Sequence, residues 1–340
     1  MKSNTGTNRL PVWPAPGKIN LFLHITGRRA DGYHNLETIF QFLDLTDEIT
    51  LRVRSDGRIR RITDPGSGLA GVPEQNDITV RAAHLLKRTT GTPLGADIAI
   101  TKRIPMGAGL GGGSSDAATT LVGLDHLWGL GLGVETLAGI GLTLGADVPV
   151  FVRGQAAFAA GVGEKLTPIE PPMVLEEPWY LIVYPGCSVA TADIFNAPDL
   201  TRDTPPIKIH TLSPKKSALE KSAPEGATPG KIAQQGPLLS PWSLSTRTRN
   251  DCEALARRRY PPVDAALGWL SQFSIARMTG TGSCVFAPFR ERQEAERALA
   301  MLPKGQGMVN KTGAKGQGWS GFVARGWNRS PLRIDGEPPR

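Results

Sequence analysis

Polar and apolar positions alternate early in this chain. From Ile19 to Thr26, Leu21, Leu23 and Ile25 fall on one side and Phe22 and His24 on the other, the period of a strand. The run leads into Asp31-Gly32, a tight-turn pair. Further strands are predicted over Leu36–Leu43, Glu48–Arg54 and Asp97–Ile104. Helical spacing takes over at Ile78, Ala82, Leu85 and Leu86, which predicts a helix across Asp77–Arg88 with Asn76 or Asp77 as its N-cap. Ala117, Leu121, Leu124 and Trp128 predict a second helix, with Ser114 and Ser115 at its cap and Asp116 in its first turn. Strands are expected over Pro149–Arg153, Ala156–Gly161 and Trp179–Tyr184. Helices are expected over Asn250–Arg259 and Val263–Phe273, and a strand, glycine turn and strand over Ile275–Phe289. Strands and helices mix without strict alternation, so the fold class is α+β.

A chain of 340 residues, at about 150 per domain, suggests two domains. The Pro/Glu-rich stretch Leu166–Pro178 is the expected crossing, giving an N-terminal unit at 10–165 and a C-terminal unit at 166–332. Thr201–Ser245 has no sustained periodicity and reads as loop, with a low-complexity insertion at about 212–243. The net charge of +8 first suggests nucleic acid. Its distribution weakens that reading: residues 1–200 carry 17 basic against 20 acidic side chains, whereas 201–260 carry 11 against 5. The surplus sits in the loop-like middle segment and the tail. Cys187, Cys252 and Cys284 form no CxxC pair or Cys/His cluster, so neither zinc nor a disulfide framework is expected. With no leader-like apolar run near residue 1 and no stretch long enough for a bilayer, a cytoplasmic protein without membrane partners is expected.

The densest chemical signal is PMGAGLGGGSSDAA, residues Pro105 to Ala118. Gly107, Gly109, Gly111, Gly112 and Gly113 precede a helix, so backbone N–H groups and a helix N-terminus can converge on phosphate. A P-loop is disfavoured because GK[ST] is missing. The spacing Gly107, Gly109, Gly112 also matches the dinucleotide pattern, yet the loop lies past residue 100 and Asp125 falls inside the helix. A nucleoside-triphosphate cradle of another kind is left.

That segment resembles the ATP-binding motif of the GHMP small-molecule kinases. PAPGKINLFLHITGRRADGYHNLET resembles the first motif of one member of that family, GLTLGADVPVF carries its aspartate motif, and MTGTGSCVF resembles its third glycine motif. The resemblance implies an N-terminal half like domain 2 of ribosomal protein S5, a ferredoxin-like C-terminal half, and a site in the cleft between them. It implies ATP with Mg2+, no resident metal ligands, and a small-molecule substrate bearing a cytidine diphosphate moiety, phosphorylated at its 2-hydroxyl in non-mevalonate isoprenoid synthesis. Another GHMP kinase, or a basic RNA-binding protein with an S5-like domain, are the alternatives; the chain would be a monomer or homodimer.

The same resemblance assigns roles. Asp147 would orient the acceptor hydroxyl and take its proton, and Lys18 would stand beside it as the active-site cation. Their plainer readings are a turn aspartate before Val148-Pro149 and a solvated lysine at a strand start. Pro105, Met106, Gly107, Ala108, Gly109, Leu110, Gly111, Gly112, Gly113, Ser114 and Ser115 would bind the nucleotide. Asn20, Tyr33, His34, Thr191, Phe195, Gly280 and Gly282 would bind the substrate, with Tyr33, His34 and Phe195 at its cytidine end. Lys102 reads equally as a neighbour of the nucleotide or as a basic strand end. Gly17 stands where the family usually has alanine, a change expected to loosen the backbone beside Lys18.

Overall fold

The computed structural model describes residues 11–62, 69, 71–207, 209, 212, 238–303 and 318–332. Strands β1 (Val12–Arg28) and β2 (His34–Arg54) form a long antiparallel hairpin closed by the Asp31-Gly32 turn. Two short strands were expected where β2 runs unbroken. Its polar middle stays in the ladder because Thr46 and Asp47 pair with Pro16 and Ala15. The carboxylates of Asp44 and Asp47 also accept backbone N–H groups from Arg325 and from Arg103 and Ile104.

β3 (Ile59–Ile62) pairs in parallel with β4 (Gly95–Thr101), which in turn pairs with β2. Helix α1 (Ile78–Thr90) starts at Asp77, whose side chain accepts the Thr79 N–H, and stops at the left-handed Gly91. α2 (Gly112–Leu127) and α3 (Val134–Leu142) follow. Pro149–Arg153, expected as a strand, belongs instead to helix α4 (Val148–Arg153). Residues Val148 to Val152 are all buried, so no alternation could separate strand from helix. The deciding signals are Pro149 in the first turn and the left-handed Gly154 cap.

The chain continues through β5 (Ala157–Ala160), β6 (Lys165–Pro168), β7 (Val174–Leu175), β8 (Trp179–Tyr184) and α5 (Thr191–Phe195). β9 (Leu238–Leu239) and α6 (Pro241–Ser245) add regular structure at the end of the stretch expected to be loop. Most of the expected insertion, residues 213–237, lies outside the described residues. α7 (Glu253–Arg259), α8 (Pro261–Leu270), β10 (Arg277–Met278), β11 (Val285–Phe289), α9 (Arg292–Ala300) and β12 (Ser320–Trp327) complete it.

The main sheet runs β10-β11-β8-β12-β2-β4-β3, with β1 and β5 also on β2 and β6 on β5. β12 pairs with β8 over Ser320–Arg325 and then with β2 at Gly326 and Trp327, so one strand links the two ends of the chain into a continuous ladder. One apolar core gathers α1–α4 against β2 and β4 around Trp13, Phe42, Phe151 and Leu121. A second gathers α7, α8 and α9 against β8 and β11. A third, with Ile19, Phe22, Tyr180 and Phe286, fills the space between them.

Gly17 sits at a register shift of β1 between Pro16 and Lys18. A methyl group there would meet only ordinary contacts, the nearest being Ile104 Cδ1 at 3.5 Å. Alanine therefore fits, and Gly17→Ala is expected to stabilise the fold by about 0.4–1 kcal/mol by restricting the unfolded chain. A urea denaturation midpoint unchanged or lowered in this variant would contradict that account.

Candidate active site

Lys18 and Asn20 lie two residues apart on β1 and meet there. The Lys18 ammonium, 4% exposed, donates to Asn20 Oδ1 at 2.6 Å and lies 3.1 Å from Asp147 Oδ2. It also stands 4.9 Å over the centre of the Phe40 ring. A buried ammonium is tolerated only with such partners. Asp147 comes from the turn before α4 and does not cap that helix with its side chain. Its side chain is 32% exposed, so the carboxylate stays open to the cavity beside it while its partner is closed off. Asp147 does stand in the turn, at the N-cap position, with its carboxylate paired to Lys18 rather than capping the helix, whereas Lys18 is buried and not a solvated lysine.

The glycine loop is fastened to β1 and to the turn after β10 by backbone bonds. Lys18 N–H donates to Leu110 C=O at 2.9 Å, and Cys284 N–H to Ala108 C=O at 3.0 Å. The Thr279 hydroxyl accepts the Asn20 N–H at 3.0 Å and donates to Gly109 C=O at 3.2 Å. One side chain thus joins three motifs that are far apart in sequence. Gly109 and Gly111 have positive φ, and a Cβ would lie 2.4 Å from Thr279 C=O at the first and 2.9 Å from the Phe151 ring at the second. Neither position accepts another residue.

Gly111 is also the N-cap of α2, in the left-handed conformation and with no side-chain cap. Ser114 and Ser115, expected at the cap, lie inside the first turn; the glycines occupy the cap because the loop must pass so close to Lys18 and Phe151. The Ser115 hydroxyl is buried and has no partner.

Two cavities share Gly109 and Gly111. The first, about 310 Å³, is lined by Lys18, Asn20, Asp147, Thr191, Phe195 and Gly280 among others. The second, about 480 Å³, is lined by Pro105 through Ser114, with Lys102, Asp77 and Asp116. Ser115 does not line it. Of the other expected substrate residues, Tyr33 is 65% exposed and away from the first cavity. Gly282 packs beside Met278 and Val189. His34 is buried behind Phe195, their rings 5.2 Å apart and nearly parallel. Its pKa is lowered by burial, with Arg202 and Arg28 adding to the shift.

Beneath the second cavity lies a buried trio that the sequence reading named only in part. The Lys102 ammonium bridges Asp47 and Asp116, so it is both a strand-end lysine and a cavity neighbour. Asp47 further accepts the N–H groups of Arg103, at 2.5 Å, and Ile104, at 2.9 Å. One cation cannot neutralise two buried carboxylates. Burial accordingly pushes the Asp116 carboxyl up to about 7 against the pull of Lys102, and one of its oxygens has no partner. Asp47, Thr279, Asn250 and Arg202 were not singled out from sequence. Thr279 stands inside the third glycine motif, and Asn250 donates to the Met278 and Gly280 carbonyls from just ahead of α7.

The fold is that of a GHMP kinase. The family model for the GHMP kinases N terminal domain matches residues 77–155, and that for the GHMP kinases C terminal domain matches 242–306. The chain is 51% identical over 327 residues to the 4-diphosphocytidyl-2-C-methyl-D-erythritol kinase of Alkalilimnicola ehrlichii, covering 96% of this chain and 94% of that one. It is 51% identical over 292 residues to the enzyme of that name from Ectopseudomonas mendocina, covering 86% and 87%. A crystal structure of 4-(cytidine 5'-diphospho)-2C-methyl-D-erythritol kinase superposes with a TM-score of 0.67 at 28% identity, over 93% of this chain and 99% of that one. Mevalonate kinase of Methanococcus jannaschii, at 16% identity, a TM-score of 0.61 and coverage of 94% and 99%, shares the fold. The chain belongs to the 4-diphosphocytidyl-2-C-methyl-D-erythritol kinase family of GHMP kinases.

Two outcomes test the buried trio. Lys102→Ala leaves two buried carboxylates without a cation and is expected to cost about 3–5 kcal/mol, read from urea unfolding. The raised pKa of Asp116 means that the folded state holds that proton more tightly than the unfolded chain. Its contribution is full below the ordinary carboxyl range and is lost as pH rises through about 7. Asp116→Asn should flatten that part of the stability profile; an unchanged slope would rule the assignment out.

Proposed function

We propose that this chain transfers the γ-phosphoryl group of ATP to the 2-hydroxyl of 4-diphosphocytidyl-2-C-methyl-D-erythritol, giving the 2-phosphate and ADP. The observation that carries the reading is the Lys18–Asp147 pair in a cavity that shares its glycine wall with a second one. The larger cavity takes the nucleotide. Its phosphates meet the backbone N–H groups of the loop and the N-terminus of α2, where the helix dipole favours negative charge. The Cβ-free cradle at Gly109 and Gly111 fits a triphosphate.

Among the described residues no group of three or more His, Cys, Asp or Glu could hold a metal ion. Magnesium would come with the phosphates of the nucleotide, on the side of the second cavity lined by Ser114. Bound there, it would offset phosphate charge.

The acceptor enters the smaller cavity. Asp147 accepts a hydrogen bond from the attacking hydroxyl and takes its proton late, because a loose phosphoryl-transfer transition state asks little of the nucleophile early. Lys18 keeps the carboxylate oriented and stabilises the charge moving between donor and acceptor. Asn20 holds Lys18 through its Oδ1 and is itself fixed by donating to the Thr38 hydroxyl at 2.9 Å. Thr191, Phe195, Gly280 and the His34 behind them form the wall for the cytidine end. Tyr33, exposed on the hairpin turn, is close in sequence to that wall and would reach the base from the solvent side. Gly282 shapes the turn that carries Gly280. A cytoplasmic location suits the three free cysteines. With relatives of this kind, the basic RNA-binding reading is not favoured.

Incubating the protein with ATP, magnesium and the cytidine substrate should give a new phosphomonoester signal in phosphorus NMR. Asp147→Asn and Lys18→Ala should each lower kcat by about 10²-fold or more while ATP still binds. A folded, ATP-binding wild type that yields no phosphomonoester would refute the substrate assignment.

A further inference from the structure

We propose that Arg202 is a positioning residue for the substrate wall: its guanidinium locks Phe195 and His34 into one platform. This rests on the proposed reading of the smaller cavity as the cytidine diphosphate site. The guanidinium donates through Nε to His34 Nε2 at 2.9 Å. One arm donates to Leu200 C=O at 3.1 Å and Pro198 C=O at 3.5 Å, and the other to Phe195 C=O at 2.9 Å and Ala197 C=O at 2.6 Å.

The carbonyls of Phe195 and Ala197 lie at the C-terminal end of α5, a helix of only five residues that cannot hold its own end in place. A planar, fixed fork can satisfy several such acceptors at once, which a lysine cannot. The bond to His34 does a second thing. Because Nε2 accepts, the neutral ring carries its proton on Nδ1, and its plane is set by the arginine. With the ring so fixed, it stacks against Phe195 at 5.2 Å and 27°. Phe195 is the member of the pair that lines the cavity. Arg202 touches neither cavity and acts through these two residues.

The role is specific to one side of the site. Lys18, Asp147 and the glycine loop are held by other contacts, described above, that do not include Arg202. Its loss should therefore weaken the cytidine end and spare the nucleotide.

Calorimetric titration with cytidine 5'-diphosphate and, separately, with ATP tests this in wild type, Arg202→Ala and Arg202→Lys. Loss of a charge-assisted network predicts that Arg202→Ala binds cytidine 5'-diphosphate about tenfold more weakly, with ATP affinity within about twofold. Arg202→Lys keeps the charge without the fork and should fall between, a usable variant should the alanine form not fold. Arg258→Ala, which removes a nearby exposed ion pair with Asp199, should change neither affinity. Ring nitrogen NMR should show His34 with an unprotonated Nε2 in wild type and a mixture of tautomers in both Arg202 variants. Cytidine affinity unchanged in variants of a wild type that does bind it would overturn the role of Arg202 and leave the substrate reading standing. Equal weakening of both ligands would mark general loosening and overturn it as well. No cytidine 5'-diphosphate binding by wild type would remove the substrate reading and this inference with it.

Discussion

Everything at the candidate site follows from burying one ammonium group. Lys18 is almost closed off from water, and a cation in that position needs an anion, a dipole or a ring face within reach. It has all three, in Asp147, Asn20 and Phe40. Phe40 lies on β2 directly across from Asn20, so the hairpin itself supplies the ring and the dipole. Asp147 has to be brought from more than a hundred residues away. The turn before α4 does this, held by a helix whose apolar side chains, Val148 to Val152, are all buried. The ion pair therefore reports on the packing of the whole first core.

The second constraint is on backbone rather than charge. A loop that must touch β1, the turn after β10 and the start of α2 has no room for a side chain at two of its positions, Gly109 and Gly111. Gly109 and Gly111 meet this by having none, and their positive φ turns the chain within a few residues. The Thr279 hydroxyl then completes the joint, accepting from β1 and donating to the loop. A glycine-rich segment that is mobile in isolation is, in this setting, tied at Ala108, Gly109 and Leu110. Tied in that way, its N–H groups need little reorganisation to meet an anion.

Much of this was legible in the sequence because it depends on local chemistry. Alternation found β1 and β4, and helical spacing found α1 and α2; β8 and β11, apolar throughout, were also read as strands, and α7 and α8 as helices. Phosphate-cradling glycines ahead of a helix are readable wherever they occur. What failed did so for physical reasons. Val148–Arg153 is apolar on every side, so period carries no information there. Ser114 and Ser115 have the right chemistry for a cap, but close approach to Lys18 gave the position to Gly111. Asp44 to Asp47 looked like a break, yet the two aspartate carboxylates are satisfied by N–H groups from segments far along the chain, which no local window contains. Arg202 and Asp47 escaped notice for that last reason too, since their partners are main-chain atoms or groups far away in sequence.

The two buried lysines show how chemistry and support can be told apart. Lys102 and Lys18 both sit within reach of carboxylates, and both border a cavity. Lys102 is enclosed between Asp47 and Asp116, each nearly inaccessible, and one of those carboxylates is anchored to the backbone that enters the glycine loop. Moving it would disturb the loop, so its charge holds structure. Lys18 faces a carboxylate that is one-third exposed and opens onto a cavity of about 310 Å³. An ion pair whose anion remains accessible can exchange part of its interaction for a hydroxyl or a phosphoryl oxygen without losing its geometry. The Lys18–Asp147 pair joins a buried cation to an accessible anion, and the Lys102 trio, with all three side chains nearly inaccessible, does not.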